Sequence, residues 1–159
     1  MKAVSVSEIK KELVNLDNKT LQELCMRLAK YKVENKELLT YLLFEAHDES
    51  SYISLVKEEI DQLFASLPQG NVYYIKKSLR KILRLTNRQI KYSGLPKTEV
   101  ELRIYFCSKI VSAGIPLQKS QVLTNLYEQQ LKKIKTVIEK LPEDLQYDYH
   151  DDVESLKSA

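Results

Sequence analysis

Eight lysine and arginine side chains, and not one aspartate or glutamate, lie between residues 62 and 98. The rest of the chain holds all 22 of its carboxylates, so this stretch concentrates positive charge in one place. At about 100° per helical residue, Lys76, Arg80, Arg84 and Arg88 step by four along the flank of an apolar stripe and onto the face opposite it. Lys77, Lys81 and Lys91 fall within the same arc, Tyr73 points into its middle, and Tyr74 and Tyr92 lie at its edge. Cations at this density neutralise several phosphates and release their counterions, and an interleaved tyrosine stacks on a base. Like charges four residues apart cost an isolated helix a few tenths of a kcal/mol per pair, a repulsion that an anionic partner offsets. The neutralising groups could instead be internal. Glu58, Glu59 and Asp61 precede the basic stretch, and Glu143, Asp144, Asp148, Asp151, Asp152 and Glu154 follow it in the tail. A tail folded onto the basic face would compete with any external polyanion.

Other chemistry is thinly supplied. His47 and His150 are the chain's two imidazoles, each beside acidic residues. Brought together they would offer imidazole and carboxylate to a metal, but their spacing matches no ligand motif, and no metal or cofactor is expected. Cys25 and Cys107 are far apart, form no C-x-x-C, and read as two reduced, buried thiols. Arg103 falls in the apolar arc of its helix near Cys107 and Ile110. There it either snorkels to solvent from the first turn or serves a groove as an anion-binding arginine. No nucleophile elbow, catalytic triad pattern or phosphate loop is present, and with 3 glycines in 159 residues there is little to build a glycine-rich loop from. The chain is expected not to be an enzyme.

The elements that carry these residues repeat with a helical period from end to end. Ser5-x-x-Glu8 opens a first helix as a capping box, and Asp17 or Asn18 caps a second that carries Leu21, Leu24, Cys25 and Leu28. A third begins near Asn35 and is apolar nearly all round, which predicts a central position. A fourth follows caps at Asp48 to Ser51, with Ile53, Val56, Ile60, Leu63 and Leu67 inward. Asn71 caps the long fifth helix, which ends at Gly94 and Pro96. Thr98-x-x-Glu101 reads as a capping box for a sixth helix, the second central one. A seventh runs to Leu141, and Pro142 breaks it before the acidic tail. The scarcity of glycine and proline argues against any turn-dense β fold. The expectation is an all-α fold: seven or eight helices paired as antiparallel hairpins in a short HEAT- or armadillo-like superhelix, with a compact bundle as the alternative. Residues 1–141 would form one domain and residues 142–159 an acidic C-terminal tail with room for one short helix.

Residues 21–43 resemble the SAP helix–loop–helix motif of DNA-binding proteins, with Leu21, Leu24, Leu28, Lys36, Leu39 and Leu43 near its apolar and lysine positions. Glu34 and Asn35 stand where that motif carries glycine before the lysine. Through KELLTYLLFEAHDE, SLRKILR and ELRIYFCSKIV the chain as a whole resembles a group of small all-helical bacterial proteins with no assigned activity, a resemblance that implies no site residues. No signal peptide or spanning segment is visible, so a soluble cytoplasmic protein is expected, without membrane contact. The functional expectation is a non-enzymatic helical interaction or scaffold module with a protein partner. The alternative is a binder of nucleic acid or another polyanion through the basic face of residues 71–92.

Overall fold

The computed structural model describes residues 1–157, and its regular elements there are all helical. They are α1 (Val6–Val14), α2 (Asn18–Tyr31), α3 (Val33–Thr40), a π-helical turn (Tyr41–Glu45), α4 (Glu49–Ala65), α5 (Val72–Ser93), α6 (Pro96–Ser112), a 3-10 turn (Leu117–Lys119), α7 (Gln121–Ile138), α8 (Glu143–Asp148) and α9 (His150–Lys157). None of these helices is long and apolar enough to cross a membrane.

The caps explain most of the boundaries. The Ser5 hydroxyl accepts from the Glu8 backbone N–H while the Glu8 carboxylate takes the Ser5 N–H, the reciprocal pair that the spacing predicts. Asp17 and Asp48 accept from the N–H groups of Thr20 and Ser51. Asn71 accepts from Tyr73 N–H at 2.9 Å and starts α5. Gly94 ends α5 with φ 68°, a left-handed conformation that favours glycine. The second predicted capping box is not formed. Thr98 and Glu101 lie inside α6, which starts at Pro96. There the buried Thr98 hydroxyl donates to Glu49, and Glu101 pairs with Lys57.

The chain divides into two compact units, Met1–Phe44 and Glu45 onward, and the expected boundary at residue 141 does not separate them. In the first unit α2 and α3 pair as a hairpin, with the Asn35 amide donating to the Leu28 carbonyl at 2.9 Å across the turn. The prediction that the third helix is central fails. Its leucines line a small hairpin with too little chain around it to bury them, and Tyr41 is the one buried side chain among the described residues 1–44.

In the second unit the prediction for the sixth helix holds. Val100, Leu102, Phe106, Cys107 and Ile110 of α6 are buried, and α4, α5, α7 and α9 all pack against this helix. Four helices thus converge on α6, which is the centre of this unit. Phe64 meets Phe106 edge-on, with ring centroids 5.9 Å apart, at the α4–α6 contact. The tail is part of this unit and carries two helices, α8 and α9, where the sequence left room for one. Tyr149, Val153 and Leu156 are buried, and the Tyr127 hydroxyl of α7 donates to the Leu156 carbonyl at 2.9 Å.

Two ion pairs clamp α4 to α6: Lys57–Glu101 at 2.7 Å and Asp61–Lys109 at 2.9 Å. The Tyr149 hydroxyl adds a bond to Glu101 at 3.0 Å and so ties the tail to the same clamp. Burial acts to raise the Glu101 carboxyl but is outweighed by the bond and charge of Lys57 and by Tyr149, leaving it below its ordinary 4.5. Asp61 is held below 3.8 by its bonds to Lys109 and Tyr105. A carboxylate depressed on folding contributes stability above its unfolded pKa, and that stability is lost as pH falls through the folded one. The urea midpoint is therefore expected to be flat from about pH 7 to 5 and to fall below about pH 4.5. A midpoint unchanged down to pH 3 would show that the clamp adds nothing.

Candidate functional site

The basic face is built by α5 alone. Leu79, Ile82, Thr86 and Ile90 are buried and mark the side that faces the rest of the second unit. With 3.6 residues per turn, Lys77, Arg80, Lys81, Arg84, Arg88 and Lys91 fall in an arc of about 100° centred opposite that side. Lys77, Arg80, Lys81, Arg84 and Lys91 are exposed, whereas Lys76 on the flank and Arg88 are half-buried. From Lys77 to Lys91 the row extends about 21 Å at 1.5 Å per residue.

Six of the seven cations of this helix are not neutralised internally by the described residues. Among the described residues no carboxylate lies within ion-pair distance of Lys76, Lys77, Arg80, Lys81, Arg84 or Lys91. Asp61 turns to α6, where it holds Lys109 and accepts from Tyr105. The tail is anchored on α6 and α7 by its apolar residues. Its six carboxylates are exposed, and Glu154 pairs with Lys157 of its own helix at 2.6 Å. Among the described residues the tail makes no ion pair with these six cations of α5.

Aromatic side chains stand at one end of the row. Tyr73 lies in the basic arc one turn before Lys77 and is 62% exposed. Tyr74 beside it is 53% exposed, and the two rings meet edge-on with centroids 5.4 Å apart. Tyr92, at the other end, is half-buried. The candidate residues Tyr73, Lys76, Lys77, Arg80, Lys81, Arg84, Arg88 and Lys91 are therefore all on one helix. Five cations and Tyr73 share its solvent face.

Arg103 belongs to the core. Its side chain is 7% exposed, so it neither snorkels to solvent nor opens onto a groove. Nε and Nη2 meet the Glu99 carboxylate at 2.8 and 2.7 Å, and Nη1 donates to Asn87 Oδ1 at 2.9 Å and to Gln130 Oε1 at 2.7 Å. One guanidinium thus joins α5, α6 and α7 from the inside, with the carboxylate and amide partners that a buried charge requires. The Glu99–Arg103 spacing of four residues was visible in the sequence; Asn87 and Gln130 come from distant segments and were not.

The remaining chemistry is dispersed. Burial pushes the Cys107 thiol up to about 12 despite the opposing charge of Arg103, which leaves it an unreactive packing group. Cys25 was expected to be buried but is exposed, because the α2–α3 hairpin has no core to enclose it. His47 is exposed, and His150 is exposed with Nδ1 3.4 Å from Asp151. Among the described residues no three histidine, cysteine, aspartate or glutamate side chains gather as metal ligands do.

The segment with the SAP-like pattern spans α2, α3 and the turn after them. Leu24, Leu28, Lys36 and Leu43 are exposed there, and Leu21 and Leu39 are half-buried. Comparison with protein-family models, with curated proteins and with solved structures gave no match to this chain.

Proposed function

We propose that this chain is a non-enzymatic interaction module that binds an anionic polymer, nucleic acid foremost, along the solvent face of α5. The observation that supports this reading is the row of exposed cations at Lys77, Arg80, Lys81, Arg84 and Lys91, which have no ion-pair partner among the described residues. Each phosphate neutralised by such a side chain releases condensed counterions, so association gains free energy without any reacting centre. The row rises about 5 Å per turn, which lets successive cations meet successive phosphates of a backbone laid along the helix. Tyr73, exposed at the end of the row, offers a face on which a base can stack. The exposed thiol of Cys25 suits a reducing compartment, and we place the module in the cytoplasm.

Counterion release fixes the test. With about five phosphates engaged, log K should fall against log salt with a slope near −4.5 for duplex and near −3.5 for single strands. Fluorescence anisotropy on a mixed-sequence oligonucleotide should therefore show affinity dropping roughly 100- to 500-fold between about 50 and 200 mM salt. Absence of binding at the lower salt, or binding indifferent to salt, would end this reading.

A further inference from the structure

The first unit exposes more apolar surface than a 44-residue hairpin unit can hide. On one side of the α2–α3 hairpin, Cys25, Leu28, Leu38 and Leu42 line a groove of about 220 Å³ that has no charged side chain in its walls. Leu28 is 61% exposed and Leu42 56%, and Leu24 continues the row one turn back along α2. The other side of the hairpin, around Met26, Leu43 and Phe44, is bordered by Lys30, Lys32 and Lys36.

We infer that the uncharged groove is a self-association surface, occupied by the same groove of a second copy of this chain. Leu24, Leu28, Leu38 and Leu42 are 37%, 61%, 37% and 56% exposed and Cys25 is exposed with them, so the row presents on the order of 300 Å² of apolar surface. A stable interface takes about 800 Å² from each partner, roughly 60% of it apolar, so this row supplies most of the apolar share of one side. The walls carry no charge to select a basic or acidic partner. A like groove supplies the matching leucine rows at the same spacing, and a twofold axis places each hairpin on the other as a four-helix bundle with an isologous contact. A unit of this size gains through the pairing the core it cannot build alone.

Sedimentation velocity on the full chain tests this. Between about 1 and 100 μM the 18.5 kDa species should give way to one of twice that mass. Leu28→Glu combined with Leu42→Glu should keep the chain monomeric with its helical circular dichroism intact. A wild type that stays monomeric at the upper concentration overturns the inference, and so does a helical double variant that still dimerises. Should that variant lose its helical signal, alkylation of wild-type Cys25 decides, since Cys107 is buried. Protection that grows at least tenfold with protein concentration supports the dimer, and a rate independent of concentration refutes it.

Discussion

Replacing Lys77, Arg80, Lys81 and Arg84 with glutamine is expected to weaken oligonucleotide binding about 100- to 1,000-fold near 0.1 M salt and to flatten the salt slope by about 4. Each of these side chains is exposed and without an ion-pair partner among the described residues, so its whole charge is available to a phosphate. The fold should not suffer. Lys77 and Lys81, like Arg80 and Arg84, are like-charged neighbours four residues apart, and removing each repulsion returns a few tenths of a kcal/mol to the helix. The variant should therefore melt at the wild-type temperature or slightly above it. That sign separates the prediction from a trivial one in which binding is lost because α5 unfolds. Binding that survives the fourfold change with its salt slope intact would place the contact elsewhere.

Arg103→Met is expected to destabilise the chain by about 3–5 kcal/mol, because it breaks a buried pair and leaves its partners behind. Gln130 is 1% exposed and would lose its Nη1 donor inside the core, whereas Glu99, with a side chain 26% exposed, can turn outward. For a domain of this size the loss corresponds to a fall in melting temperature of roughly 10 °C. Adding Gln130→Leu should recover part of it, since an apolar residue of similar volume removes the stranded amide. Thermal melts of the two single variants and the double complete the cycle. A loss under about 1 kcal/mol for Arg103→Met would mean that the three-helix junction does not depend on this guanidinium.

Local chemistry was legible in the sequence, and three-dimensional neighbourhood was not. The caps at Ser5, Asp17, Asp48 and Asn71 involve groups within a few residues of one another, so their spacing alone predicts them. The α5 face was legible for the same reason: one continuous helix fixes the angle between Lys77 and Leu79 whatever packs around it. Thr98-x-x-Glu101 misleads because Glu49 and Lys57, both on α4, bind these two side chains before the helix end can. The apolar run through Leu38, Leu42 and Leu43 reads as a central helix because periodicity reports amphipathicity and not the amount of chain available to cover it. The partners of Arg103 and the docking of Tyr149 on Glu101 join residues 16 to 48 positions apart, which no window along the chain spans.

The most direct test of the account is an amide chemical-shift titration of the full chain with a mixed-sequence oligonucleotide at low salt. The prediction is that perturbations gather on the exposed positions of α5, from Tyr73 through Lys77, Arg80, Lys81 and Arg84 to Lys91, and fade as salt is raised. Shifts that gather on the acidic tail or the α2–α3 hairpin while α5 stays silent would contradict it.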